Sequence, residues 1–255
     1  MKLDTMSFEK EGRIGRLTLN RPQMLNSMNY QGALDLNETA ELIRDDPDIR
    51  VVLIRGAGRA FCTGIDLKQL SAGRTPTAYY EYWDRALRIL EQAEKVLLCA
   101  MHGYALGGGL QLALACDIRI ATQDCQIGLP AIKEGIVPGL GTYRLPRYIG
   151  LGRAKQMVLS GDNIDGRHAY EIGLVDHVAK PDSFDRESET LLEKYSSICS
   201  EGTRQSKMLL NMPFDMPHGQ FLEEYLRRQR IALSSPDHQE AMAAYRENRD
   251  PIFSA

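Results

Sequence analysis

Apolar positions along the chain switch repeatedly between alternation and helical spacing, and the switches divide it into short strands and helices. Gly12 to Asn20 alternates, with Ile14, Leu17 and Leu19 as its apolar positions, and Arg21-Pro22 ends it. Asn29 to Arg44 predicts a helix whose apolar face carries Leu34, Leu36, Ala40, Leu42 and Ile43. A strand over 50–55 follows, then a Gly/Pro/Thr-bearing loop over 71–77, a long helix over 78–95 and an apolar strand from Val96 to Met101. Ile118 to Ala121 and Cys125 to Gly128 predict further strands, and 144–149 and 153–159 helical pieces. From Ser183 onward the pattern is largely helical, divided by Pro213, Pro217 and Pro236. The alternation of strand and helix predicts an α/β fold.

The most informative junction is Gly107-Gly108-Gly109, between the strand ending at Met101 and a helix-like run through Leu110, Leu112 and Leu114. Glycines there let backbone approach a ligand closely, and a helix start offers unpaired N–H groups and a positive dipole end. Such a place suits an oxygen bearing negative charge, although three glycines also make an ordinary tight turn. A second segment, Arg59-Ala-Phe-Cys-Thr-Gly-Ile-Asp-Leu67, follows the strand over 51–55.

With these segments in order, the chain resembles the enoyl-CoA hydratase/isomerase (crotonase) family, whose patterns read roughly Ala-Phe-x-x-Gly-x-Asp-Leu and Gly-Tyr-x-x-Gly-Gly-Gly. Pro138-Gly-Leu-Gly-Thr142, Arg144-Leu145, Leu159-Ser-Gly161, Gly173-Leu-Val175 and the ending Tyr245-x-x-x-Arg249-x-Pro251-x-Phe253 also match in order. The resemblance implies a spiral of ββα repeats forming two nearly perpendicular sheets, a core over 1–195 and a C-terminal helical oligomerisation region over 196–255. It further implies an acyl-CoA substrate, no prosthetic group and assembly as a trimer or a dimer of trimers. Family chemistry moves electrons into a thioester carbonyl, and the resemblance assigns the two backbone donors for the resulting oxyanion to Ile65 N–H and Gly108 N–H. Asp66 reads as a helix cap or turn acceptor.

The family's hydratases place one Glu two residues after the last glycine and a second directly after a later Pro, the pair flanking a water. Here those places hold Gln111 and Ala131. Neither exchanges a proton as a carboxyl does near neutral pH, so the chain should be a poor two-carboxylate hydratase. Natural loss of a Glu at 131 and deliberate replacement of one both fit. Isomerase or hydratase-like chemistry leads. Enolate carbon–carbon chemistry, decarboxylation or thioester hydrolysis is one alternative, and a non-catalytic crotonase-fold binding protein is another. Glu134 is a candidate displaced general base or a solvated loop charge beside Lys133. Tyr79, Tyr80 and Tyr82 either shape the acyl pocket or pack. By resemblance the CoA-binding candidates are Arg21, Met24, Arg59, Ala60 and Arg249, with Lys68 weaker.

Composition narrows the alternatives. A formal charge of −3 with dispersed basic residues argues against a nucleic-acid surface. No apolar run reaches membrane-spanning length, and the polar start predicts no secretory leader, so a soluble cytoplasmic protein is expected. Cys62, Cys99, Cys116, Cys125 and Cys199 read as reduced buried thiols, Cys62 being notable only for its place in the first site segment. His102, His168, His177, His218 and His238 show no metal spacing, so no metal is expected, and His102 reads as structural. Phe221, Leu222, Tyr225 and Leu226 predict an apolar stripe for assembly, beside Arg227, Arg228 and Arg230.

Overall fold

The computed structural model describes residues 3–212 and 216–253; Pro213, one of the three expected helix dividers, lies outside them. The chain begins with β1 (Met6–Glu11) and β2 (Ile14–Leu19), then α1 (Tyr30–Asp45), β3 (Val51–Gly56), α2 (Leu67–Ser71) and α3 (Ala78–Gln92). The middle comprises β4 (Val96–Met101), β5 (Tyr104–Leu106), α4 (Gly108–Leu114), β6 (Ile118–Thr122) and β7 (Gln126–Gly128). It continues through α5 (Gly141–Ser160), α6 (Gly166–Glu171), β8 (His177–Ala179) and α7 (Phe184–Ile198), and closes with α8 (Glu201–Leu210), α9 (His218–Ser234) and α10 (Pro236–Glu247).

Six strands form one sheet in the order β1-β2-β3-β4-β6-β8, antiparallel only between β1 and β2. A second, smaller sheet pairs β5 with β7 in parallel, and single bridges Cys62–Ala105, Met28–Ile65 and Ile127–Ile164 extend it. That second layer carries the site, because the links from β2, β3 and β4 to α1, α2 and α4 pass through it.

β3 and β4 have core on both faces, which is why they read as unbroken apolar runs rather than alternation. Val52, Ile54, Leu97 and Cys99 face the larger cluster, which includes Leu36, Ile43, Leu87 and Leu90 of α1 and α3. Val51, Leu53, Val96 and Leu98 face the smaller cluster with Phe184 and Leu192 of α7. β2 departs from its sequence reading. Leu17 and Leu19 point to the larger cluster, while Ile14, of opposite parity, packs on the smaller one. Gly15 takes the inward position, and a Cβ there would lie 2.8 Å from the Phe8 ring.

The expected helix over 78–95 ends at Gln92, because Ala93 is extended and Lys95 is buried, donating to the Asp46 carbonyl at 2.6 Å. The two helical pieces after Gly141 are segments of α5 separated by Gly150, whose φ of 77° and ψ of 158° break the helix. β1, α6 and β8 had no counterpart in the sequence pattern. α8, α9 and α10 pack on one another, and Lys207 ties α8 to the core through Asp117 at 2.9 Å and the Lys95 carbonyl at 2.7 Å. No helix among the described residues is long and apolar enough to cross a membrane.

Candidate active site

Two chain segments meet in the small sheet, and each presents one peptide N–H. In the first, Cys62 N–H donates to the Tyr104 carbonyl at 2.9 Å and Leu106 N–H to the Cys62 carbonyl at 2.9 Å. Met28 then brackets Ile65: its N–H donates to the Gly64 carbonyl at 2.7 Å and its carbonyl accepts from Asp66 N–H at 2.9 Å. The residues flanking Ile65 are thus fixed, while Ile65 N–H itself has no partner among the described residues. Gly64 turns the chain with φ of +85°, a conformation open to glycine.

Asp66 secures the end of this segment. Its buried carboxylate accepts from Lys68 N–H at 3.1 Å and Gln69 N–H at 3.2 Å, capping α2, and pairs with Arg21 at 3.0 Å. Arg21 also donates to the Ser27 carbonyl at 2.5 Å. The cap reading of Asp66 is what the geometry gives.

In the second segment, Gly107 N–H donates to the Gly128 carbonyl at 2.9 Å, and the Gly107 carbonyl accepts from Gln111 N–H at 3.0 Å. Gly107 has φ of 52° and ψ of −115° and no side-chain cap, so α4 starts on glycine conformation alone. Gly108 N–H is the first of the helix and has no partner among the described residues. The two segments touch: a Cβ on Gly64 would lie 2.8 Å from the Leu106 carbonyl oxygen and 2.9 Å from Gly108 N. A Cβ on Gly109 would be driven into the Cys62 carbonyl oxygen. Close backbone contact explains why the glycines cluster here.

Both amides open on a cavity of about 80 Å³, lined by Ile65, Gly107 and Gly108 on one side and Gln111, Ala131, Glu134 and Ile136 on another. The structure therefore brings together all five predicted chemical positions. Gln111 and Ala131 are buried, at 7% and 8% exposure, whereas Glu134 is exposed at the rim. α3 supplies the third wall through Tyr79, Tyr80, Trp83 and Asp84. Trp83 stacks on Tyr79 with centroids 6.4 Å apart, and its ring lies 3.2 Å from a Cβ built on Gly108. Tyr82 turns away and meets Tyr30 edge-on.

Trp83 and Asp84 went unnoticed in the sequence. The signal was there: with Tyr80 they stand three and four residues apart on one helix face, shortly after the predicted loop over 71–77. Burial pushes the Asp84 carboxyl above its ordinary range; Glu91 adds to this and Arg144 opposes it. Cys62 is fully buried, its thiol pushed up to about 12 by burial, and its Sγ accepts the Gly64 N–H at 3.4 Å. His102 meets the Gly58 carbonyl at 2.9 Å and lies against Phe184, a structural setting.

The residues expected to hold CoA lie outside the lining of this cavity. Arg21 is engaged with Asp66 and Ser27, and Met24 sits half-buried in a short 3-10 turn. Arg59 is exposed; Ala60 is fully buried, its carbonyl accepting from Asn26 Nδ2 at 2.8 Å. Asn26 also donates to the Ala57 carbonyl and accepts from Arg21 N–H, lacing the 21–26 and 57–60 segments together. Arg249 pairs with Glu240 and Glu247. Among the described residues no group of three or more His, Cys, Asp or Glu side chains could hold a metal ion.

The model of the Enoyl-CoA hydratase/isomerase family matches residues 9–255. The chain belongs to that family. It is 33% identical over 259 residues to the "Probable enoyl-CoA hydratase echA8" of Mycobacterium tuberculosis, covering 100% of this chain and 99% of that one. It is 35% identical over 254 residues to the "(E)-benzylidenesuccinyl-CoA hydratase" of Thauera aromatica, covering 97% and 98%. The crystal structure of a putative enoyl-CoA hydratase from Streptomyces coelicolor superposes with a TM-score of 0.93 at 26% identity, over 99% of this chain and 95% of that one. The family fold with its helical C-terminal region is thereby established for this chain, as is membership among enzymes acting on CoA thioesters.

Proposed function

We propose that the chain converts an acyl-CoA thioester to an enolate whose oxygen is held between Ile65 N–H and Gly108 N–H. The single observation that carries this reading is the pair of unpartnered amides, set side by side by Gly64 and facing one cavity. Fixed donors stabilise a developing oxyanion better than water because they need no reorientation. The same observation argues against a purely binding role, since a scaffold has no need to leave two peptide N–H groups unpartnered side by side.

Gln111 and Ala131 leave the two carboxyl places of the family's hydratases empty, so isomerase-type proton movement leads over water addition. Arg21, Met24, Arg59, Ala60 and Arg249 remain the proposed CoA contacts, the first four on segments that Asn26 laces together. Leu222, Tyr225 and Leu226 of α9 are exposed in the single chain, which supports a closed homo-oligomer, a trimer or dimer of trimers, using the helices over 196–255.

The test is deuterium incorporation into the acyl chain of a panel of straight-chain acyl-CoAs in D2O. The chain as given should exchange acyl protons. Ala131→Glu should raise hydration of a 2-enoyl-CoA by at least about 100-fold, the lower range for a positioned acid/base group. Acyl-CoA binding without any exchange would refute the enolate reading.

A further inference from the structure

Three residues that line the cavity each carry a buried polar atom with no hydrogen-bond partner among the described residues: Trp83 Nε1, Asp84 Oδ1 and Gln111 Oε1. Buried polar atoms are nearly always paired, so three around one cavity mark a place where something else is to be bound. Only one of them belongs to a group that can gain and lose a proton. Among the described residues Asp84 has no ion pair; Arg144, the cation that opposes its upward shift, gives Nε and Nη2 to Glu91 at 2.7 and 2.8 Å, and its buried Nη1 has no hydrogen-bond partner. An aspartate used for stability would be expected to take that arginine. This one lines the cavity instead.

We propose that the Asp84 carboxyl is the group that carries the proton to and from the acyl chain. It borders the same cavity as the two positions where the family's usual carboxyls are missing, on a different element, α3, next to the Trp83 ring that packs against Gly108. The assignment rests on the enolate reading above and adds to it the missing acid/base. As carboxylate, Asp84 removes one proton from an acyl carbon; the C–H electron pair moves into the thioester carbonyl, and its oxygen takes the charge between the two amides. Asp84, now a carboxylic acid, returns the proton to the other end of the conjugated system as the pair leaves the oxygen. One proton moves, one double bond shifts, and no water or redox partner enters.

Burial that raises the carboxyl's proton affinity suits this work, because it brings a poor base closer to the working range. Glu134 is the competing carboxylate of the same cavity, exposed at its rim. Its side chain has water available on one side, whereas Asp84 Oδ1 is sealed from it.

Asp84→Asn and Glu134→Gln separate the two. Exchange of acyl protons in D2O and isomerisation of 3-enoyl-CoAs are measured on both variants, together with acyl-CoA affinity by titration. Asp84→Asn should lose at least about 100-fold in both rates while binding acyl-CoA within about threefold of the parent. Glu134→Gln should lose far less. Undiminished exchange in Asp84→Asn, or the reverse order of losses, overturns the assignment but leaves the enolate reading standing. Failure of the parent chain to exchange any acyl-CoA it binds refutes that reading and this one with it. If Asp84→Asn loses affinity and rate together, a circular dichroism melt of the variant decides: an unchanged melt means that Asp84 recognises the acyl group, overturning a proton-carrying role. A collapsed melt transfers the test to Asp84→Glu, which must keep exchange if a carboxyl on this wall is what matters.

Discussion

The two segments that present the site amides reach the same result by different means. At Ile65 the backbone is held by side chains: Asp66 caps α2 and is itself gripped by Arg21, while Cys62 receives the Gly64 amide. At Gly108 no side chain takes part, and the turn depends on glycines that alone fit its conformation and its crowding. The first junction adds specific contacts, which can be weakened by degrees, to the one crowded glycine at its turn; the second has glycines alone, strained in backbone at Gly107 and crowded at Gly109.

Gly64 and Gly107 probe that contrast with the largest expected effect. Gly64→Ala forces a Cβ against the opposite segment, including Gly108 N, so it should displace both donors and cost at least about 100-fold in turnover. Gly107→Ala meets nothing closer than 3.8 Å, and its penalty is conformational, about 1–3 kcal/mol of stability. Steady-state rates and denaturant melts on both variants check this. Equal losses in rate and stability would mean that the junctions are not distinct.

Asp66→Ala should come next. It removes the cap of α2 and leaves Arg21, itself 16% exposed at the side chain, without its counter-charge, for an expected loss of about 2–3 kcal/mol. The rate should fall less than in Gly64→Ala, because Met28 still brackets Ile65 from both sides. An unchanged unfolding midpoint would show that the first junction does not depend on its side chains. Ile65→Ala is the mildest change. The donor is the peptide N–H, so turnover should stay within about tenfold of the parent, with the shift concentrated in KM through the altered cavity wall.

The first of these junctions and the second were both legible in the sequence, because glycine spacing and strand-to-helix order are local signals. So was the missing carboxyl at 111 and 131, which needs only a position in a motif. What the sequence did not reveal depends on packing between distant segments. Asp84 reaches the cavity only because α3 lies across the α4 start, a contact that helical spacing alone does not report. The inward Gly15 of β2 was hidden for the same reason: Phe8, on a strand the pattern missed, fills the space that a side chain there would need. Arg21 reads from its motif as a ligand contact, and only the folded chain shows it bound to Asp66 and Ser27.

The buried thiol of Cys62 has a consequence of its own. Its sulfur accepts from Gly64 N–H inside the first junction, and desolvation keeps it protonated far above neutral pH, so a thiol reagent can reach it only when the junction opens. The rate at which Cys62 is alkylated is therefore a clock for the breathing of the backbone that holds the first amide, readable without any substrate and sensitive to whatever ligand clamps the cavity shut.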